Sequence, residues 1–145
     1  MSSELQYPFT REQIEEQARG NFNVAVLGAI AYAKAQGQDS RNFATFMGKL
    51  VTPGWGTITS PREAATAVAL NCASYGMSVV SVGGDDARGE AVTSDWPAQE
   101  LLEFTGLSQD DADQAWSIFE PIAQSLGYTF SWRREGGQLH FTVTK

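Results

Sequence analysis

"YTFSWRREGGQLHFTVTK", residues 128–145, decides the fold, because two runs of strict apolar/polar alternation flank the pair Gly136-Gly137. Alternation of period two is the signature of a half-buried strand, and a glycine pair supplies the positive φ angles of a two-residue hairpin turn. The turn sets Trp132 opposite Phe141 and Arg133 opposite His140. One face then carries Tyr128, Phe130, Trp132, Leu139, Phe141 and Val143. The other carries Thr129, Ser131, Arg133, His140, Thr142 and Thr144.

A sheet with one apolar face must be covered, and the rest of the chain supplies the cover. Residues 77–95 read as a second hairpin around "VGGDDARG". Upstream, Thr10 and Gln13 form a capping box for a long helix whose apolar positions are Ile14, Ala18, Phe22, Ala25, Ala29 and Ala33. Its small residues, with Gly28, suit a close helix neighbour or a homodimer seam. Asp39 or Ser40 caps a second helix with Phe43, Phe46, Met47 and Leu50 on its apolar side, and "VTPGWGTITS" follows as a loop. Ser60-Pro61-Arg62-Glu63 is a strong helix start, and that helix carries Ala65, Val68 and Cys72 to Tyr75. Pro97 opens a short helix ending at Gly106. Ser108 caps the last one, which Pro121 should kink near Ser117. The expectation is an α+β domain spanning residues 1–145: a four-stranded antiparallel sheet from two hairpins, about 77–95 and 128–144, with about five helices on its apolar face.

The 145 residues carry a net charge of −7, unevenly spread. Residues 85–120 hold ten acidic side chains against one basic, Arg88, which is −9 and leaves +2 elsewhere. Such a surface repels phosphate backbones, so nucleic acid is not an expected partner. The polar, acidic start and the short apolar run "VAVLGAIAYA" predict no membrane segment, and a lone Cys72 fits a reducing, cytoplasmic setting.

Candidate chemistry is sparse. Asp85, Asp86 and Glu90 resemble an acidic turn that holds a metal, but a phosphoryl-transfer site needs a further carboxylate and basic groups. The simpler reading is a turn that bonds to its own backbone, with Gly83 and Gly84 at positive φ; neither metal nor cofactor is expected. Cys72 with His140 is the one nucleophile–base pair, although no hydrolase motif surrounds "ALNCASYGM" and His140 projects from the polar face. Trp55 and Trp96, outside regular elements, together with Tyr128, Phe130 and Trp132, are the aromatic set for a small apolar or aromatic ligand. The leading expectation is therefore a non-enzymatic small-molecule-binding domain. A cysteine hydrolase using Cys72 and His140, and a protein-interaction domain using the acidic 85–120 surface, are its alternatives.

Overall fold

The computed structural model describes residues 8–145. The polar start of the chain, residues 1–7, lies outside them. Six α-helices and four strands follow in the order α1 (Arg11–Ala35), α2 (Asn42–Val51), α3 (Pro61–Ser74), β1 (Val79–Gly84), β2 (Arg88–Ser94), α4 (Gln99–Thr105), α5 (Gln109–Asp113), α6 (Phe119–Ser125), β3 (Thr129–Glu135) and β4 (Gln138–Thr144). The sheet is antiparallel with strand order β1-β2-β4-β3, so the two hairpins join through β2 and β4. The fold is α+β, as the two alternating hairpins predict.

The β3–β4 register is the one the glycine pair dictates: Trp132 faces Phe141 and Arg133 faces His140, and Gly136 and Gly137 adopt φ of 57° and 75°. Leu139, Phe141 and Val143 are buried on the inner face. In the first hairpin only Gly84 takes positive φ, at 127°; Gly83 is an ordinary strand residue paired with Glu90.

Helix starts follow the sequence closely. The Thr10–Gln13 capping box forms, and the Ser60 hydroxyl accepts from the Glu63 N–H. Two starts differ. Asp39 does not cap α2 directly but accepts from the Arg41 N–H in the turn before it. Pro97 stands outside α4, which begins at Gln99 behind Ala98. The expected break near Ser117 is larger than a kink: residues Gln114–Ile118 wind as a 3-10 helix between α5 and α6. Pro121 has no N–H to return to the Ser117 carbonyl, so the α ladder cannot run through this point. Thr52–Trp55, expected as loop, is likewise a 3-10 turn continuing α2.

The faces of α1 and α2 depart from the sequence reading. The core side of α1 is Asn23, Val26, Leu27, Ile30 and Ala33; of the expected stripe only Ala33 is buried. Residues 11–22 are exposed throughout. In α2 the buried positions are Ala44 and Gly48, whereas Phe46 and Leu50 are about two-thirds exposed. The cause is close approach: a Cβ on Gly48 would lie 2.2 Å from the Ile118 carbonyl oxygen and 2.5 Å from Cγ of Pro121. Only glycine lets α2 sit this near the 114–121 segment, and that contact fixes which side of the helix turns inward.

Gly48→Ala should therefore destabilise the fold by about 1–3 kcal/mol through overpacking, although alanine is the better helix former. Gly20→Ala, where a Cβ meets nothing within 4 Å, should instead stabilise by about 0.5–1 kcal/mol. Urea unfolding of both variants measures the two opposite signs.

Candidate functional site

The helical layer forms a partly open apolar cavity of about 250 Å³ between α1, α2, α3 and the 115–122 segment. Its arrangement follows from the Gly48 contact. Ala44, Met47 and Val51, the positions flanking Gly48 on α2, line the space beside the pivot. Ile118, Phe119 and Ile122 form the opposite wall. Trp55, held edge-on to Phe119 at 5.9 Å between ring centroids, closes one end. Phe22 and Asn71, both lining residues and both exposed, mark the rim between α1 and α3.

Two polar side chains face this apolar space, Asn71 and Tyr75. The Asn71 amide donates to the Ala67 carbonyl, which leaves its oxygen as a free acceptor among the described residues. The Tyr75 ring is wedged between Phe22, Trp96 and Trp116, at centroid distances of 4.7, 5.3 and 5.6 Å. Its backbone carbonyl accepts from Asn23, but its hydroxyl has no hydrogen-bond partner among the described residues. Burial pushes the Tyr75 phenol up to about 12, with the nearby Cys72 adding to the shift. The group is therefore a neutral hydroxyl at ordinary pH, able both to donate and to accept.

Of the five aromatic residues expected to bind a ligand, the structure brings only Trp55 to this cavity. Trp96 is in the core, stacked edge-on to Trp116 at 5.1 Å, with its indole N–H donating to Asn23. Phe130 packs against Phe119 and Phe141. Tyr128 and Trp132 are partly buried against the same core. The lining residues that the sequence did not mark for ligand binding, among them Phe22, Val26, Met47, Tyr75, Ile118 and Ile122, come from several elements with no shared motif. The one local signal is a tyrosine at the end of a helix otherwise lined by alanine.

The nucleophile–base pair is not assembled. Cys72 is fully buried on the inner side of the sheet, and burial pushes its thiol up to about 12. His140 lies on the opposite face, paired with Arg133, between the buried Leu139 and Phe141. The sheet stands between them. Burial thus holds the Cys72 thiol in its protonated, less reactive form.

The acidic turn bonds to its own backbone. The Asp85 carboxylate accepts from the Ala87 and Arg88 N–H groups at 2.8 and 2.9 Å, and these two bonds hold its pKa below the usual value. Glu90 is paired with Arg88. Among the described residues no cluster of His, Cys, Asp and Glu is placed to hold a metal, and no helix is long and apolar enough to cross a membrane.

Half of the acidic groups in residues 85–120 are consumed by ion pairs within the chain. Glu90 pairs with Arg88, Asp111 with Lys34, Glu120 with Arg41, and both Asp95 and Asp113 with Arg134. The Arg134 cluster is the most buried of these. Its guanidinium grips the Asp113 carboxylate through two bonds, 2.7 and 3.2 Å, and also donates to the Trp96 carbonyl. Gln109 donates to the same carboxylate and the same carbonyl. Arg134 thus ties the end of β3 to α5 and to the chain leaving β2.

Lys34 lowers the Asp111 carboxyl below its ordinary range. A lowered carboxyl contributes stability above its unfolded pKa and loses it as pH falls through the folded value, so this contact weakens only in acid.

The chain matches no protein-family model, and neither a curated protein nor a solved structure matches it.

Two outcomes check this geometry. Cys72 should react with a thiol reagent only at the rate of unfolding, and rapid modification of the native protein would contradict its placement. Arg134→Met should cost about 3 kcal/mol by leaving Asp113 buried without its partner, while Arg133→Met, on the outer face, should cost under about 1 kcal/mol in thermal unfolding.

Proposed function

We propose that the protein is a non-enzymatic binding domain for a small, mainly aromatic molecule that occupies the cavity between α1, α2, α3 and residues 115–122. The observation that supports this reading most is an apolar pocket of about 250 Å³ whose lining includes two residues with polar groups, Asn71 and Tyr75. Apolar walls with a few convergent polar groups are the usual form of a small-molecule site. A phenol hydroxyl on a lining residue can donate to or accept from a ligand oxygen or nitrogen.

Size limits the ligand. A 150 Å³ apolar cavity takes benzene, so this one suits a bicyclic ring of roughly ten non-hydrogen atoms with one polar substituent. At roughly −0.6 kcal/mol per atom, such a ligand binds with about −6 kcal/mol, a Kd of tens of micromolar. Hydroxylated naphthalene is a suitable probe because the unsubstituted hydrocarbon is its control.

Isothermal titration calorimetry with 1-naphthol and naphthalene tests the proposal. Both should bind the native chain. Met47→Trp or Val51→Phe, each at a half-buried lining position and each filling the space, should abolish binding while leaving the protein folded. Tyr75→Phe should weaken 1-naphthol about fivefold, the worth of one hydrogen bond, and leave naphthalene unchanged. Binding that survives both filling variants would place the ligand elsewhere and overturn the reading.

A further inference from the structure

We infer that the outward face of α1 is a symmetric docking surface for a second copy of this chain, in which two α1 helices pack antiparallel. This proposal is independent of the ligand reading.

The starting observation is that α1 has apolar residues on two sides. Asn23, Val26, Leu27, Ile30 and Ala33 face the core. On the opposite side, Ile14, Ala18, Asn21, Ala25, Gly28 and Tyr32 follow one another at steps of four, three, four, three and four. That is the 3.5-residue repeat of a helix–helix seam. Ile14, Phe22, Val24 and Tyr32 are 40%, 43%, 38% and 69% exposed. A surface helix whose only obligation was to the core would carry charge there.

Three further features favour a second copy over any other occupant. The seam is self-complementary in one antiparallel register. With the twofold axis at residue 23, Ile14 meets Tyr32 of the other copy, Ala18 meets Gly28, and Asn21 meets Ala25. Large faces large at the two ends, and small faces small between them. Phe22 and Val24, flanking the axis, meet their own counterparts. A C2 interface requires this self-matching, whereas an unrelated partner does not.

Charge points the same way. Two chains of net charge −7 repel, so a homodimer interface must exclude acidic groups. Between Ile14 and Tyr32 the outward arc holds none. Glu12, Glu16 and Arg19 lie on the inward arc, and Arg11 and Glu15 on the flank are paired with each other at 3.4 Å.

Gly28 supplies the third feature. A glycine inside a helix costs about 0.5–1 kcal/mol relative to alanine. At Gly48 the fold uses the missing Cβ for a close approach. At Gly28 a Cβ would meet nothing within 4 Å, so the chain itself has no use for it. A second helix backbone crossing there does.

The area is sufficient for a modest dimer. The exposed seam side chains and the backbone between them offer on the order of 500 Å² per copy, about 1,000 Å² in all, the lower bound for a specific interface. The contact also gives a role to residues 11–22, about 18 Å of helix that projects past the core with its outer stripe apolar.

Sedimentation equilibrium of the intact chain up to about 200 μM is the test, at which a dimer worth about −5 kcal/mol is half formed. Native protein should dimerise, and Ala25→Glu should raise the dissociation constant about tenfold or more while leaving the thermal transition of dilute protein unchanged. Val24→Cys should form a disulfide-linked dimer on mild oxidation, and Glu16→Cys, on the inward arc, should not. The buried Cys72 gives no background. A monomer throughout the range overturns the proposal. So does a dimer that tolerates Ala25→Glu but is lost with Val80→Lys, since this would locate pairing at the open edge of β1.

Discussion

Trp116 is the residue on which the rest of the packing depends. It is fully buried in the 3-10 segment between α5 and α6, and its indole packs on Tyr75 just after α3, Trp96 just after β2, Phe119 from α6 and Phe141 from β4. The helical layer and the sheet thus meet on one side chain. The geometry has a cost, because the Trp116 N–H is buried with no partner among the described residues, on the order of 1–3 kcal/mol. Aromatic edge contacts on several sides, each contributing about 0.5–1.5 kcal/mol beyond area burial, offset it.

The other side of the same segment produces the cavity. Ile118 and Pro121 present backbone and ring to α2, and only Gly48 can meet them. Contact at one small residue leaves the neighbouring positions, Ala44, Met47 and Val51, standing off from Ile118 and Ile122. The void is therefore a consequence of how α2 pivots, and Tyr75 reaches its wall because its ring is held by Trp116. Phe22 belongs to both sides of this arrangement: it packs on Tyr75 at the cavity rim and remains exposed on α1.

What could be read in the sequence follows from which forces act locally. Period-two alternation and paired glycines act over a few residues, so the C-terminal hairpin and its register were legible down to Arg133 opposite His140. Capping residues are equally local, which is why Thr10 and Ser60 mark helix starts correctly. The face of a helix is different, since it is chosen by what lies across from it. Phe43, Phe46, Met47 and Leu50 form a good apolar stripe, yet α2 turns inward on Ala44 and Gly48 because the smallest residues permit the closest approach. Alanine and glycine carry too little hydrophobic signal to reveal this. On α1 the same ambiguity runs deeper, because both faces are apolar. The aromatic set is dispersed for a related reason: Trp96 and Phe130 pack in the core, and only Trp55 stands at a cavity whose walls come from elements far apart in the chain.

The most direct test of a preformed binding cavity is a methyl-resolved NMR spectrum of the native protein under xenon pressure. Xenon enters apolar cavities of this size without needing a hydrogen bond. Saturable shifts confined to Val26, Met47, Val51, Ile118 and Ile122, with Leu139 and Val143 unmoved, are the predicted result. A spectrum that does not respond, or one in which the methyl groups on the sheet shift equally, would contradict it.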